Sequence, residues 1–448
     1  MTKIITGKLR EMQKDQHLSE LVKGSFVAFV LKLSAAIFTF ALNVVLAQKL
    51  GPEGSGDFFL ALTVVLICAS IGCIGMEQAL VRFVASSVAT GHIDRVLGVY
   101  QKAMLYALVV TVSISASLFF LSPWISQVVF VKPEIAKTLA IMSLAVSPVA
   151  LFTLHSFALQ GLKKIAASIL VQSIVVPSIV SCAALFLIKD FGITAVAWSY
   201  VLAALISLIL GRWLWKNAVS LLEFGVASFD RGELLSCSRP LFGVVLMSLV
   251  ITWLPMLLLG VWGTSENVGI YSAASRTAAL TSFVLVAVNS IMAPRFAALS
   301  QQGDLERLSV VVKQSTKYLT LLALPIWGLF LVFPELILSI FGEQFKQGSI
   351  ALMIIATGQF FNVATGLVGS LLMMSGHGKL VRNNLVFTGF MGVLLSIWLI
   401  PSYGVIGAAI STALMILIQN FISVIQVRKR LDIMIFSWVS VTFLKIKS

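Results

Sequence analysis

Two cations, Lys32 and Arg276, stand inside long apolar stretches of the sequence. A charge in hydrocarbon is costly, so an ionisable side chain in a membrane segment usually faces a cavity or another helix and has a functional role. Two cations that share one cavity would bind an anionic group, and the planar donor fork of arginine suits phosphate. The alternative interpretation is that each side chain snorkels along its own stem to the membrane surface.

Each cation shares a helical face with small polar side chains that recur at helical spacing. The residues of these faces are Ser25, Thr39 and Asn43 with Lys32, and Ser272 and Ser275 with Arg276. A membrane helix with one polar face turns that face towards a cavity or towards other helices. We therefore predict that these side chains line the cavity that holds the two cations.

Acidic residues are rare in the apolar stretches, and Glu77 and Asp57 are the candidates for a proton- or cation-coupling site. An ion pair of Glu77 with Arg82, at the end of the same segment, is the preferred interpretation of Glu77. Neutral amides inside the segments are interpreted as hydrogen-bond partners between helices. These amides are Gln172, Asn289, Gln359 and Asn362.

The sequence holds no motif for catalysis or for a bound group. There is no P-loop, the 4 cysteines fit no zinc or redox spacing, and no long exposed loop carries a pair of acids. We therefore expect a protein that is not an enzyme and that needs no cofactor and no metal.

The elements that must position these residues are membrane helices. The chain has 448 residues, of which 59% are hydrophobic and 11% charged, and its mean hydropathy is +1.01. Soluble domains keep roughly a quarter of their residues charged, so the sequence predicts an all-α integral membrane protein. Twelve transmembrane helices are predicted, at 25–47, 58–81, 100–122, 136–158, 166–188, 192–211, 241–262, 269–293, 318–340, 349–374, 383–400 and 404–426.

One long stretch of the sequence occurs twice. Residues 51–100 and 263–312 each open with a Gly-rich polar turn, continue as an apolar run, and end in an Arg-Phe pair and a charged loop. The pairs are Arg82-Phe83 and Arg295-Phe296, and the copies are offset by about 212 to 213 residues. An even number of segments per half predicts two six-helix lobes, related by a pseudo-two-fold axis along the membrane normal, with the binding site between them.

Charged residues predict the borders and the orientation of these parts. Five of the 32 Lys and Arg residues fall on one side of the membrane: Lys49, Lys132, Lys137, Lys189 and Lys346. Because basic loops stay inside, the opposite side and both termini are predicted to be cytoplasmic. The net charge of +14 is therefore a topology signal, and nucleic acid is not an expected partner. The predicted parts are an interfacial N-terminal segment 1–24, an N-lobe 25–211, a cytoplasmic linker 212–240, a C-lobe 241–427 and an interfacial tail 428–448.

Several short motifs, in this order and spacing, carry a family resemblance over nearly the whole chain. They are Leu50-Gly51-Pro52-Glu53-Gly54-Ser55-Gly56, Arg82-Phe83, Leu159-Gln-Gly161, the Tyr271-Ser-Ala-Ala-Ser-Arg276 run and the Gly404-Val-Ile-Gly-Ala-Ala409 run. The chain resembles the oligosaccharide flippases of the multidrug/oligosaccharidyl-lipid/polysaccharide exporter superfamily, and its segment count is similar to that of the O-antigen and capsule type.

The resemblance implies a two-lobed transporter in the bacterial cytoplasmic (inner) membrane. Its substrate would be an undecaprenyl-diphosphate-linked oligosaccharide, moved from the cytoplasmic to the outer leaflet by alternating access. A central cationic cavity is typical of the family, and Lys32 and Arg276 are the residues that could supply it here. The partners expected are membrane lipids, the lipid-linked oligosaccharide, and polysaccharide polymerase and chain-length proteins.

Two other functions are compatible with the sequence. A cation-coupled multidrug exporter of the same fold would need buried carboxylates for cationic drugs, whereas the buried charges predicted here are mainly Lys and Arg. A non-transporting membrane scaffold of a glycan assembly complex is the alternative from a different class.

Overall fold

The computed structural model describes residues 2–220 and 231–435, and this part of the chain is built from α-helices joined by short turns. The helices are α1 (Thr2–Gly72), α2 (Met76–Ala89), α3 (Ile93–Trp124), α4 (Ile135–Ser143), α5 (Val146–Gly161), α6 (Ile165–Ile169), α7 (Val175–Val219), α8 (Arg231–Trp262), α9 (Ser265–Ala278), α10 (Phe283–Gln301), α11 (Leu305–Val332), α12 (Pro334–Leu338), α13 (Ser349–Ala364), α14 (Val368–Met374) and α15 (Gly378–Leu431). Turns of π-helix follow α3 and α6, at Ile125–Val129 and Leu170–Ile174, and 3-10 turns lie at Ala279–Ser282, Ser339–Phe341 and Glu343–Gly348.

Many of these helices have the length and composition of membrane spans. Among the described residues, 8 helical stretches are long and apolar enough to cross a membrane, and the pair α4–α5, bent by 45°, makes up to 9. Large apolar side chains such as Phe120, Phe186 and Trp398 are 71% to 78% exposed on the helix surfaces, as expected of side chains that face lipid. The prediction of an all-α membrane protein is confirmed.

Three glycines divide the longest helices. Gly51, Gly192 and Gly404 have φ values of 69°, 57° and 53°, a left-handed conformation that glycine adopts without steric cost. The apolar stretches Phe29–Gly72 and Gly378–Leu431 have 44 and 54 residues, and a single span needs only about 20. We call residues 29–50 and 52–72 the first and second legs of α1. The predicted segments 25–47 and 58–81 lie on these legs, with the end of the latter on α2.

The structure describes the backbone of the predicted N-terminal segment and the first residues of the predicted tail. The backbone of residues 2–24 is helical and runs into the first leg of α1 without a break. Helix α15 ends at Leu431 because Asp432 has a φ of 55°, and the next side chains, Ile433 and Ile435, are buried in the core between α10, α11 and α15. Residues 436–448 of the predicted tail and 221–230 of the predicted linker lie outside the described residues.

The two sequence copies cross each other at one end of the molecule with almost no side chain between them. A Cβ built on Gly56 would lie 1.8 Å from the carbonyl oxygen of Ser265, and one on Gly269 would lie 2.0 Å from that of Pro52. Gly56 and Gly269 are 213 residues apart, and so are Pro52 and Ser265. The contact is therefore reciprocal, made once in each direction by corresponding residues. Small residues allow such a close approach of helix backbones.

We call this end of the molecule the Pro52 end, and further contacts close it. Lys132, in the turn after α3, donates to the carbonyl oxygens of Gly260 and, at 2.8 Å, Gly263, which end α8. The side-chain amide of Gln48 donates to the Ile340 carbonyl at 2.7 Å. Burial lowers the pKa of the Lys132 ammonium, and the nearby carboxylates Asp57 and Glu134 oppose that shift.

Near the opposite end, α8 contacts the first copy at α2 and α3. Arg95 and Glu233 form an ion pair of 2.6 Å, and both side chains are 42% exposed. Gly75, with a φ of 71°, lies so close to α8 that a Cβ there would be 2.7 Å from the Phe242 nitrogen. An ion pair as exposed as this one contributes little stability, so the glycine contact is the better evidence of close packing.

Candidate functional site

Arg276, in the last turn of α9, contacts both legs of α1. Its Nη1 donates to Asn43 Oδ1 at 2.9 Å on the first leg, and its guanidinium carbon lies 4.2 Å from the ring centroid of Phe59 on the second leg. Its Nε donates to Ser272 Oγ at 3.3 Å, one helical turn earlier on α9. Arg276 thus joins the second sequence copy to the first.

The partners of Arg276 are neutral, and they leave part of the guanidinium unused. An arginine side chain has five N–H donors, and two of those of Arg276 are used in these bonds. Within the described residues, no carboxylate forms an ion pair with it. The aromatic ring beneath the guanidinium stabilises a cation without neutralising it. The site therefore keeps a net positive charge and free donors for an anion.

Lys32, on the first leg of α1, lies in the wall of the same cavity as Arg276. This central cavity, of about 360 Å³, is lined by Lys32, Thr39, Asn43, Ser173, Arg276 and apolar residues of α1 and α10. Lys32 is exposed, and no hydrogen bond or ion pair joins its ammonium to another described residue. The central cavity therefore has two cations in its wall, one held in place by neighbours and one free to move.

Two further cavities adjoin the central one through shared residues. The α5–α7 cavity, of about 360 Å³, shares Thr39 and Arg276 with it and is otherwise mostly apolar. The α13–α15 cavity, of about 400 Å³, shares Lys32 and Val286 with it, and side-chain amides and hydroxyls form about half of its lining. Both cations therefore stand where cavities meet, so a ligand larger than one cavity could contact them while extending to either side.

The structure brings two of the five predicted polar residues to the central cavity. Thr39 and Asn43 line it, whereas Ser272 is buried and accepts a hydrogen bond from Arg276. Ser275 is half-buried and lies outside the lining of the cavity. Ser25 lies on α1, and its side chain is outside what the structure describes.

Glu77 lies elsewhere than the expected ion pair requires. It stands in the first turn of α2 and lines the α5–α7 cavity, where its Oε2 is buried without a hydrogen-bond partner among the described residues. Arg82 points away, with Nη1 3.9 Å from Cys237 Sγ on α8. Residues five apart on a helix are separated by about 140° around its axis, which is too far for a pair. The expected Glu77–Arg82 ion pair is therefore wrong.

Asp57 belongs to the helix crossing and lines none of these three cavities. It is half-buried near the start of the second leg of α1, and its Oδ1 is buried without a hydrogen-bond partner among the described residues. Its neighbour Gly56 makes the helix crossing, so Asp57 lies at the contact between the sequence copies.

Sequence reasoning missed two groups of cavity residues. The aromatic residues Phe59, Tyr200 and Trp253 lie around Arg276 and in the α5–α7 cavity, and nothing in their spacing separates them from other apolar residues. Gln419 and Asn420 of α15 line the α13–α15 cavity. Their signal was available, because two adjacent amides in the middle of a membrane segment are as unusual as the amides of α13.

The arrangement can bind an anion and hold it between the two sequence copies. The central cavity carries two cations and no carboxylate in its lining, so its field favours phosphate or another multiply charged anion. A carboxylate lies one cavity away, at Glu77. The described residues contain no group of three or more His, Cys, Asp or Glu that could hold a metal ion.

Comparison with known proteins gives consistent families and folds. Residues 21–300 match the family described as "Polysaccharide biosynthesis protein", and residues 240–399 match the family described as "MatE". The chain is 28% identical to a Haloferax volcanii protein named "Probable low-salt glycan biosynthesis flippase Agl15", over 51% of this chain but only 48% of that protein. It is 22% identical to a Shigella flexneri protein named "Putative O-antigen transporter", over 84% of this chain and 90% of that protein.

Solved structures share the fold at low sequence identity. A multidrug resistance MATE family transporter in an inward-facing conformation superimposes with a TM-score of 0.71 at 13% identity, covering 91% of this chain and 98% of the other. The lipid II flippase MurJ, in an inward closed conformation, superimposes with a TM-score of 0.71 at 14% identity, covering 90% and 87%. At such identities the likeness concerns the fold alone.

Proposed function

Because the chain belongs to the polysaccharide biosynthesis protein family, a branch of the multidrug/oligosaccharidyl-lipid/polysaccharide exporter superfamily, we propose that it is a flippase for an undecaprenyl-diphosphate-linked oligosaccharide. It moves the repeat unit from the cytoplasmic to the outer leaflet for the synthesis of a surface polysaccharide such as O-antigen or capsule. The observation that carries this proposal is the central cavity, whose wall contains Lys32 and Arg276 and no carboxylate.

In this proposal the diphosphate binds between the two cations. Arg276 offers its unused N–H donors from a fixed position, and Lys32 reaches in from the first leg of α1. Hydrogen bonds to charged groups contribute about 1.5–3 kcal/mol each, so a few of them compensate part of the cost of taking a diphosphate into the membrane. The glycan extends into an adjoining cavity, and the prenyl tail stays in lipid between helices.

The proposed motion is alternating access by two six-helix lobes. The two legs of α1, the two legs of α15 on either side of Gly404, the bent pair α4–α5 and the broken pair α9–α10 bring the number of crossings to the proposed twelve. The contacts at the Pro52 end support a state in which that end is closed. By charge, this is the outer end, so the proposed state admits substrate from the cytoplasm.

One observation favours a second function, a cation-coupled multidrug exporter. Glu77 is a buried carboxylate without an ion-pair partner among the described residues, and it lines the α5–α7 cavity. Buried carboxylates of this kind are used for cations and protons in membrane transporters. Arg276 lines the same cavity, however, and repels a cationic drug.

Depletion of the protein separates these functions. The flippase proposal expects undecaprenyl-diphosphate-linked oligosaccharide to accumulate in cell lipid extracts, with loss of the matching surface polymer, while sensitivity to cationic dyes stays unchanged. Increased sensitivity to cationic dyes, without accumulation of a lipid-linked glycan, would instead support the drug exporter. An Arg276→Gln variant, present at the normal protein level, is expected to cause the same accumulation and the same loss of polymer as depletion does. Normal polymer export by this variant would show that the proposed role of the charge is wrong.

A further inference from the structure

About half of the residues that line the α13–α15 cavity are neutral and polar, and the others are mostly apolar, among them Leu285, Leu367 and Ile416. Its five amides are Asn289 of α10, Gln359 and Asn362 of α13, and Gln419 and Asn420 of α15, joined by the hydroxyls of Ser370 and Ser423. Among the described residues, Lys32 is the one charged side chain in this lining, and it stands at the border with the central cavity. The cavity is thus built for an uncharged polar ligand.

Part of this amide group holds helices together. Asn420 Nδ2 donates to Asn362 Oδ1 at 3.0 Å, and Thr365 Oγ1 donates to Asn420 Oδ1 at 3.0 Å. These bonds join α15 to α13, as expected of interhelical amides. They also fix the positions of the two asparagines in the cavity wall.

The remaining amides have unused donors and acceptors. Among the described residues, the buried Oδ1 of Asn289 has no hydrogen-bond partner. Within the part of the chain that the structure describes, no hydrogen bond joins the Gln419 amide to another side chain, and Gln359 Oε1 accepts only a long bond of 3.5 Å from Asn362. A polar ligand would supply the partner that the buried Asn289 oxygen lacks and could bond the two half-buried glutamines.

The duplicated fold does not require these amides. At the 213-residue offset that aligns the two Arg-Phe pairs, Asn289 corresponds to Met76. At the 212-residue offset that aligns Gly404 with Gly192, Asn420 corresponds to Leu208. The α5–α7 cavity of the first copy is accordingly lined mainly by apolar residues, among them Leu42, Leu62, Leu66, Val149 and Phe152. The polar lining is therefore a property of one half of the molecule.

We propose that the α13–α15 cavity is the subsite for the glycan of the lipid-linked substrate, with Asn289, Gln359 and Gln419 as its hydrogen-bond partners. An amide is both donor and acceptor, as are a sugar hydroxyl and an acetamido group, so the two match without any charge. A volume of about 400 Å³ lies within the roughly 300–1,000 Å³ of small-molecule sites. The subsite rests on the proposed function, because Lys32 connects it to the cavity proposed for the diphosphate.

The test compares two lipids whose diphosphates are esterified at both ends and carry the same charge. Purified full-length protein in nanodiscs is titrated with undecaprenyl methyl diphosphate and with undecaprenyl-diphospho-N-acetylglucosamine. The Kd of the methyl lipid divided by the Kd of the sugar-bearing lipid measures recognition of the sugar. The variants Asn289→Leu and Gln419→Met each replace an amide side chain by an apolar side chain of similar size. Neither substitution breaks the hydrogen bond between Asn362 and Asn420. Each is expected to lower the preference for the sugar-bearing lipid about fivefold, the factor that corresponds to one net hydrogen bond of about 1 kcal/mol.

Two controls locate the effect. Gln101→Met removes an exposed amide at the start of α3 and is expected to leave the ratio of Kd values unchanged. Gln172→Met removes an amide from the α5–α7 cavity. If Gln172→Met lowers the ratio and Gln419→Met does not, the glycan binds in the first half and the proposed subsite is wrong.

The wild-type result separates the two proposals. Equal affinity for both lipids would overturn the glycan subsite and leave the flippase proposal intact. Binding of neither lipid would overturn the proposed function and the subsite with it. A preference for the sugar-bearing lipid that Asn289→Leu and Gln419→Met each lower about fivefold, while both keep the wild-type affinity for the sugar-free lipid, is the expected outcome.

Discussion

The two cations of the central cavity differ in how they are held. Arg276 is positioned by Asn43, Ser272 and the ring of Phe59, whereas Lys32 is an exposed side chain without a partner among the described residues. A fixed guanidinium loses little conformational entropy when it binds a ligand, and its planar fork matches phosphate oxygens. A flexible ammonium contributes mostly charge. The same substitution should therefore have different effects at the two positions.

Removal of the Lys32 charge should weaken binding without affecting folding. In a Lys32→Gln variant we expect the Kd for undecaprenyl diphosphate to rise about five- to thirtyfold, because one charge-assisted interaction worth about 1–2 kcal/mol is lost. The protein yield should stay normal, since the side chain is exposed. Lys49→Gln, an exposed lysine at the end of the same leg and outside the three cavities, is the matched control. An equal effect of both variants would point to general surface charge.

Exchange of the two cation types tests whether position or charge matters. Lys32→Arg should support transport of labelled lipid-linked sugar in liposomes at a rate close to that of the wild type. Arg276→Lys should be at least tenfold slower, because an ammonium cannot donate to Asn43 and Ser272 while lying over Phe59. Equal rates for the two variants would mean that the contacts of Arg276 are structural.

The sequence indicates which residues belong to this candidate site, but it does not indicate which residues contact each other there. The cost of a charge in hydrocarbon depends on the local sequence alone, so it singles out Lys32 and Arg276, and the structure places both in the wall of the central cavity. Which neighbour satisfies Arg276 depends on the rotation of α9 relative to α1, which no spacing within one helix reveals. The failed Glu77–Arg82 pair has the same origin, since closeness in sequence was taken for closeness in space.

At the scale of the elements, the helix crossing at the Pro52 end determines how the two copies meet. Gly56 and Gly269 bring helix backbones into contact with carbonyl oxygens of the other copy, and no substituent fits at either position. The apolar runs predict the helices well, because hydrophobic length is a direct requirement of the bilayer. They also separate 25–47 from 58–81 and 383–400 from 404–426, and the left-handed glycines Gly51 and Gly404 divide α1 and α15 at these places.

Filling the crossing should open the Pro52 end. In Gly56→Ala or Gly269→Ala the new methyl group meets a carbonyl oxygen, so the helices must separate by about 1 Å or more, at a cost of about 1–3 kcal/mol. Spin labels at Glu53 and Glu266, two exposed positions near the crossing, should then give a longer distance distribution in pulsed electron resonance.

The matched control for this prediction is Gly328→Ala. Gly328 lies inside α11, and a Cβ there has no heavy atom within 4 Å. Its distance distribution should equal that of the wild type. If Gly56→Ala folds normally and also keeps the wild-type distribution, the crossing does not hold this end closed.

At the scale of the whole molecule, the uneven distribution of basic residues predicts orientation. The Pro52 end carries few lysines and arginines, whereas the turn between α10 and α11 lies on the basic side. The excess of lysine and arginine on one side of the membrane also explains why a net charge of +14 does not indicate a nucleic acid partner. The energy that orients the chain is spread over many weak contributions, so single substitutions should leave the orientation unchanged.

Labelling in intact cells tests this orientation. In a variant without its native cysteines, Glu266→Cys near the Pro52 end should react with a membrane-impermeant maleimide. Gln302→Cys, in the turn between α10 and α11, should react only after the membrane is permeabilised. Both positions are exposed, so accessibility within the protein is matched. The reverse pattern would mean that the Pro52 end faces the cytoplasm.

The reciprocal crossing has a consequence for the history of the chain. Contacts made twice by corresponding residues, Pro52 with Gly269 and Ser265 with Gly56, have the form of an isologous interface between identical subunits. A half-length precursor with this crossing would have paired with a second copy of itself, and every substitution there would have counted twice. Fusion into one chain removes that constraint. Glu77, Lys32 and the amides of α13 and α15 could then arise in one half alone, which an exact homodimer does not permit.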